Sequence, residues 1–428
     1  MNLFKLKENN TDVKTEFVAG MTTFMAMLYI VPVNAFILSS AGMPYDALIT
    51  ATIFMTIFAS VLSGLWSNAP IAMSVGMGLN AYFSFGLVQG MGIPWQSALG
   101  IVFISGIFYI IISATPIRRW LIETIPVDIK RAISAGIGAF IAFIALEQTK
   151  MIVASPATLV TLGDFKDSSV LLALFGLVLA IFFTIKKFKA ALMLSIVVTT
   201  VVAWFSGLAP FPKEFISLPA SMAPIAFELD IPSALTLSFL PLIFIFLLTD
   251  LFDTLGTLAG VGMRAKLFED KEGLKTLQKT IEVDAVATMF SGVAGVTSTT
   301  SFIESAVGVE EGGRTGLSAV FVGVLFLLPL FLLPFFKAIP PNAIYPVLIV
   351  IGIMMFSEIK NIDFENQATK YASFFIILGM PLTYSITNGL LLGALVYLLV
   401  NLFLGKVKDI SPAMLILAVA GVLIFFFL

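Results

Sequence analysis

Residues 297–305 read TSTTSFIES, a hydroxyl-rich run carrying Glu304 within a stretch too apolar to be a solvated loop. The stretch is also too short to cross a bilayer as an ordinary helix, which takes about 20 apolar residues. A carboxylate at membrane depth is costly unless it is paired, protonated or wetted by a cavity, so its first reading is a substrate or ion pathway. The plain alternative is a helix-end carboxylate near the headgroups.

Composition points the same way. The chain has 428 residues, 59% apolar and 12% charged, with a mean hydropathy of +1.05. A water-soluble chain of this length needs far more charge, so the composition implies a polytopic membrane protein whose solvent is the lipid bilayer. A formal net charge of -2 gives no reason to expect a nucleic-acid partner. There is no cysteine and no histidine, which excludes disulfides, thiolate chemistry, His/Cys zinc sites and any histidine base. No HExxH or GxSxG occurs, so an enzyme is not expected and neither is a cofactor or a metal site. The N-terminal MNLFKLKENNTDVKTE is polar and lacks a signal-peptide core, leaving the first span to direct insertion.

Apolar runs bounded by charge or turn residues fall near 17–39, 47–66, 68–85, 96–115, 131–150, 169–185 and 190–208. A connection from about 209 to 233 carries Pro210, Pro212, Pro219, Pro224 and Pro232. Beyond it lie runs near 235–257, 282–295, 298–311, 316–336, 342–357, 371–385 and 387–404, with a terminal apolar stretch at 411–428. The expected fold is therefore all-α with about 14 transmembrane spans, seven in residues 1–215 and seven, plus the terminal segment, in 234–428.

With a cytoplasmic N-terminus, 20 of the 24 basic residues fall on cytoplasmic segments, among them Arg118, Arg119, Lys130, Arg131, Lys186, Lys187, Lys189, Arg264, Lys266, Arg314 and Lys408. Only Lys150, Lys166, Lys213 and Lys337 fall outside. This bias obeys the positive-inside rule, and a miscounted span would have destroyed it. Seven spans per half place the halves in opposite orientations, as an inverted repeat. Transporters built this way hold their site near the midplane on helices that break there.

Corresponding breaks are present. The third span of the first half contains SVGMGLNAYF, residues 74–83, where Gly76 and Gly78 loosen the backbone ahead of Asn80. The third span of the second half is TSTTSFIES. Each presents one polar side chain, Asn80 or Glu304, after a helix-poor run, and freed N–H groups there can bind ligand acceptors. Gly76 and Gly78 can equally serve close helix packing. In LLTDLFDTLGTL, residues 247–258, Asp250 and Asp253 stand three apart and are expected on one helical face. They can cap a neighbouring broken helix or bond nearby hydroxyls. Close carboxylates in low dielectric cannot both stay ionised cheaply, so at least one is expected to carry a proton.

Together, GMGLNAYF, LLTDLFDTLGTLAGVGMRA and TSTTSFIESAVGVEEGGRTGL resemble the nucleobase cation symporter (nucleobase/ascorbate transporter) superfamily, in its adenine, guanine and hypoxanthine permease branch. The resemblance runs from Thr15 to about Gly405. It implies a core domain of spans one to four and eight to eleven, with a gate domain from the rest. It also implies short strands near Ala72–Val75 and Thr297–Thr300, in the broken third and tenth spans, with the purine between the domains. Asn80, Asp250, Asp253 and Glu304 fall at the family's substrate and coupling positions, and proton symport is carried over by likeness. Gate domains of related transporters often dimerise, so a homodimer is a possible assembly. The chain is expected to be multi-pass in the cell membrane.

Purine chemistry suits these residues. A carboxylate accepts two adjacent donors on the base edge, and Glu304 is assigned that role. Backbone N–H groups at Ser301 or Phe302, with the Asn80 amide, are expected to donate to the base acceptors. Thr300 belongs to the same expected substrate site. Phe83, Phe252 and Phe302 are stacking candidates among 41 phenylalanines. Asp250 or Asp253 is expected to titrate with the cycle, alongside Glu304. Hydroxyls of Ser298, Thr299 and Thr300 leave Na⁺ coupling open. An anion exchanger of the same architecture is the nearest rival, and an ionised Glu304 speaks against it. A channel needs a ring of selectivity groups that one asymmetric cluster does not supply.

Overall fold

A computed structural model of the chain describes residues 3–115, 124–265, 267–268 and 270–427. Arg118, Arg119 and Lys266 lie outside the described residues. The chain is a mostly helical multi-pass membrane protein. Among the described residues, eight helical segments are long and apolar enough to cross a bilayer: Val13–Ser39, Tyr45–Trp66, Trp95–Ser113, Val127–Gln148, Ser168–Ile185, Leu240–Gly262, Pro341–Asn361 and Ile386–Phe403. Ala191–Phe205 and Gly316–Phe331 are shorter apolar helices. Leu171, Phe175, Val178 and Phe182 are all exposed along one stripe of the Ser168–Ile185 helix, a face suited to lipid and not to water.

Three features shape the region of interest. First, the opening segment is two helices, Val13–Met27 and Ile30–Ser39. Pro32 has no N–H for the Leu28 carbonyl, so Val31 N takes that carbonyl at 3.3 Å and the chain kinks at Tyr29. Second, β1 (Met73–Val75) and β4 (Thr299–Ser301) pair antiparallel, with Met73 opposite Ser301, Ser74 opposite Thr300 and Val75 opposite Thr299. Third, β1 runs into the short helix Met77–Ala81 and a π-helical turn, Tyr82–Gly90, while β4 runs into Ser305–Glu310.

Such extended backbone survives at membrane depth only where protein groups satisfy it. The Tyr45–Trp66 helix does this for the outer edge of β1. Ser60 Oγ bonds both the carbonyl and the N–H of Met73 (2.9 and 3.0 Å), Ser63 reaches Ile71 O at 2.8 Å, and Thr56 meets Ser74 Oγ at 2.6 Å. The Lys271–Ala294 helix serves β4 likewise, with Thr288 donating to Thr299 O at 3.0 Å and Ser291 meeting Thr299 Oγ1 at 2.5 Å. The polar positions run 52, 56, 60, 63 in one helix and 280, 284, 288, 291 in the other, so both stripes step by four, four and three.

Some expected boundaries shift. The helix expected at 282–295 begins at Lys271, where Asp270 caps it by accepting from Gly273 N at 2.6 Å. Its first turns carry Lys271, Lys275 and Lys279, so hydropathy registers only the second half of the helix. A second hairpin, β2 (Ile152–Ser155) with β3 (Leu159–Leu162), departs from the expectation that only the broken spans carry strands. Its residues are largely exposed β-formers between two helices. The proline-rich 209–233 connection packs along the surface through bonds such as Phe227 N to Val293 O at 2.8 Å. The terminal segment forms the helix Pro412–Phe427.

Candidate functional site

The strand pair ends at a cleft that opens to solvent. One wall is polar, formed by Tyr29, Asp253, Thr257, Thr300, Ser301 and Glu304 with Phe302. The rest of the lining is apolar: Met77, Gly78, Ile303, Ile351, Met354 and Met355. A flat molecule with polar edges and apolar faces meets both requirements here, and flexible methionines adapt to its outline.

Glu304 lies just beyond β4, half-buried in the turn before Ser305. Tyr29, fully buried at the proline kink, donates its hydroxyl to Glu304 Oε1 at 2.6 Å. That bond fixes one oxygen of the carboxylate while the residue still lines the cleft. Asp253 and, one turn on, Thr257 project from the Leu240–Ala265 helix into the same space.

Asp250 and Asp253, expected on one helical face, feel each other's charge, but only Asp253 lines the cleft. Three residues fall about 60° short of a full turn, and that offset puts the two groups in different surroundings: Asp253 faces the cleft, whereas Asp250 is not among the cleft residues. Asp250 is buried and accepts from Thr288 Oγ1 at 2.8 Å. Its electrostatic neighbours are Asp284, from the Lys271–Ala294 helix, and then Asp253. Asp284 accepts from Thr254 Oγ1 at 2.5 Å and Tyr109 OH at 3.1 Å.

Asn80 also departs from its expected place. It is fully buried, donates to Asn34 Oδ1 at 2.5 Å and accepts from the Thr297 hydroxyl. The short Met77–Ala81 helix turns Met77 and Gly78 to the cleft, and a residue two positions past Gly78 points to the far side. Asn34 itself is held by Thr52 at 2.6 Å, so Asn80 belongs to a bonded chain within the helices and not to the cleft.

Thr300, Ser301 and Phe302 do line the cleft. The Phe302 N–H is already engaged, donating to Ala72 O at 3.0 Å. Ser301 occupies a non-hydrogen-bonded register position opposite Met73, so its N–H points to the outer edge of β4. Its hydroxyl is buried without a partner. Of the stacking candidates, only Phe302 lines the cleft; Phe83 is fully buried elsewhere, and Phe252 lies under Lys130 Nζ at 5.1 Å. Of the hydroxyls considered for Na⁺, Thr299 and Thr300 are engaged by Ser291 and Thr254, at 2.5 and 2.8 Å.

Sequence reasoning missed Tyr29 and Asp284. Pro32 marks the kink that exposes Tyr29 to the site. For Asp284 the signal was a carboxylate in step with Thr280, Thr288 and Ser291 on an otherwise apolar face.

The fold resembles solved transporters. The transmembrane domain of a cyanobacterium bicarbonate transporter, BicA, superposes with a TM-score of 0.60 at 15% identity, covering 90% of this chain and 97% of that one. The murine anion transporter Solute Carrier 26 family member A9, in its inward-facing state, gives 0.61 at 11% identity over 91% of this chain and 68% of that one. At such identities the likeness is one of fold alone. Sequence relatives are much nearer. A putative permease of Methanocaldococcus jannaschii, MJ0326, is 42% identical over 99% of this chain and 98% of its own length. The guanine/hypoxanthine permease PbuO of Bacillus subtilis is 38% identical over 97% and 98%, and the adenine permease AdeP of Escherichia coli 37% over 98% and 94%. With residues 14–392 also matching its family pattern, the chain belongs to the Permease family, within the nucleobase/ascorbate transporter superfamily.

Proposed function

We propose that this protein imports purine nucleobases (guanine, hypoxanthine or adenine) across the cell membrane by proton symport with alternating access. The observation that carries the reading is the Tyr29–Glu304 bond at the rim of a cleft with a polar wall and an otherwise methionine-rich lining. Glu304 Oε1 is occupied by Tyr29, leaving Oε2 to accept an N–H of the base, while Asp253 offers a second acceptor in the same cleft. Ser301 and Thr300 serve the base's polar edge, and Phe302 with Met354 and Met355 brackets its faces. A site built to pair each polar group discriminates against bases that leave one unpaired. The names of AdeP and PbuO support purines as the substrate class.

In this reading fourteen spans form two inverted repeats, 1–215 and 234–428, with the N-terminus cytoplasmic. The matching polar stripes behind β1 and β4 support it, since each braces the strand of its own half. Spans one to four and eight to eleven form the core domain, and the gate domain moves against it. The anion-transporting structures share the fold only, and two carboxylates lining the cleft oppose an anionic substrate.

Uptake of radiolabelled hypoxanthine into vesicles tests the proposal. Glu304→Gln should lose uptake while membrane protein persists at the normal level. Normal uptake by that variant would remove Glu304 from the site.

A further inference from the structure

Behind β4, two carboxylates lie outside the purine cleft. Asp250 and Asp284 are 1% and 0% exposed and are electrostatic neighbours. Each has one oxygen served, Oδ2, by Thr288 in the first case and by Thr254 and Tyr109 in the second. Asp284 Oδ1 is buried without a partner, whereas Asp250 Oδ1 has only the hydroxyl of Ser298 nearby as a donor. Buried acceptors without donors are expensive, and two adjacent ionised carboxylates in low dielectric are more so. A bound proton answers both problems, because it removes one charge and supplies the missing donor.

The titratable and charged groups on the surrounding elements are few. The Leu240–Ala265 helix contributes Asp253, the Trp95–Ser113 helix contributes Tyr109, and Glu304 faces Asp253 from beyond β4. Lys130, from the Val127–Gln148 helix, lies over the Phe252 ring. The Tyr45–Trp66 helix carries its two titratable residues, Tyr45 and Asp46, at its start, and the Met77–Ala81 helix carries none.

We propose that Asp250 and Asp284 form a proton-binding pair, separate from the purine cleft, which loads and releases the coupling proton of transport. The inference rests on the reading of this protein as a proton-coupled purine permease. It moves the coupling step from Asp253 and Glu304 in the cleft to a pair behind the strand, in which Asp284 joins Asp250. The link to substrate is a competition for hydroxyl hydrogens. Thr288 has one hydrogen and two acceptors, Asp250 Oδ2 at 2.8 Å and Thr299 O at 3.0 Å. With the pair ionised, that hydrogen goes to the carboxylate; with the pair protonated, it returns to the β4 carbonyl. Thr254 likewise touches both Asp284 Oδ2 at 2.5 Å and Thr300 Oγ1 at 2.8 Å. Thr300 lines the cleft, so the charge state of the pair reaches the strand that holds the base. The proton comes from water on one side of the membrane and leaves to water on the other.

The test uses the full chain reconstituted in liposomes, with tritiated hypoxanthine as the probe. Wild type, Asp284→Asn and Thr288→Val are compared in counterflow at equal pH and in accumulation driven by an imposed pH gradient. A gradient of about one pH unit supports up to about tenfold accumulation for one proton per purine. Asp284→Asn keeps an acceptor for Thr254 and Tyr109, so it should retain counterflow while its accumulation falls to no concentration. Thr288→Val should retain counterflow and lose most accumulation. In weakly buffered detergent, wild type should take up protons on binding hypoxanthine and Asp284→Asn should not. Wild-type accumulation by Asp284→Asn would overturn the pair, as would accumulation in wild type that follows a Na⁺ gradient and ignores pH. Absence of purine counterflow in wild type would instead refute the permease reading itself. Should Asp284→Asn fail to fold, Asp250→Asn is put through the same counterflow and accumulation assays: loss of accumulation with counterflow retained supports the pair, and wild-type accumulation overturns it.

Discussion

Tyr29→Phe isolates the interaction on which the cleft depends. The substitution removes one oxygen and leaves the ring in a fully buried position. What disappears is the 2.6 Å bond to Glu304 Oε1, the one hydrogen bond the hydroxyl makes among those described. A hydrogen bond to a charged group contributes ~1.5–3 kcal/mol. Glu304 is half-buried and borders the cleft, so water can replace part of the lost donor and the lower end applies. A loss of ~1.5 kcal/mol weakens purine binding about tenfold. Equilibrium binding of tritiated hypoxanthine to purified protein measures it, with a melting curve run on the same samples. The melting temperature should fall by no more than a few degrees, because ~1.5 kcal/mol is small against the unfolding entropy of a chain this long. Wild-type affinity in folded Tyr29→Phe would refute the claim that Tyr29 orients Glu304 for the base.

Other expected outcomes concern the frame around the cleft. Glu16 is fully buried and accepts the N–H groups of Arg314, Thr315 and Ser318 at 3.0, 3.4 and 3.2 Å, together with the Ser318 hydroxyl. Glu16→Ala leaves those donors unpaired and should cost about 3 kcal/mol or more, read as lower folded yield and melting temperature, with partial rescue by Glu16→Gln. Gly138 and Gly352 sit where two helices touch: a Cβ on either would lie 2.5 Å from the other's carbonyl oxygen. Gly138→Val should therefore separate the helices and cost about 1–3 kcal/mol, seen as a lower melting temperature in detergent. By contrast, the exposed Lys337–Asp46 ion pair at 2.8 Å should contribute under about 1 kcal/mol, and Lys337→Ala should leave uptake and melting unchanged.

Much of the fold was legible because hydropathy and charge are one-dimensional signals. Runs of apolar residues located the helices, and TSTTSFIES and SVGMGLNAYF marked two interruptions where hydroxyl and glycine content rises. The site was legible only in part, because its residues are selected by rotation around helices. Glu304, Thr300, Ser301, Phe302 and Asp253 line the cleft as a set, whereas Asn80 and Asp250 turn away by a fraction of a turn. No spacing in a single sequence reports which side a neighbouring strand will occupy. Tyr29 was hidden for another reason: its partner lies 275 residues away. The stripe at 280, 284, 288 and 291 was periodic enough to be seen, but its carboxylate gains meaning only beside Asp250.

The most direct test of the central claim is competition for hypoxanthine uptake by unlabelled adenine, guanine, hypoxanthine, xanthine and uracil, in wild type and Glu304→Gln. Saturable uptake in wild type, inhibited by purines and not by uracil, and lost in Glu304→Gln, is the predicted result. Uptake that uracil inhibits as strongly as the purines do, or that survives in Glu304→Gln, would contradict a purine site built on Glu304.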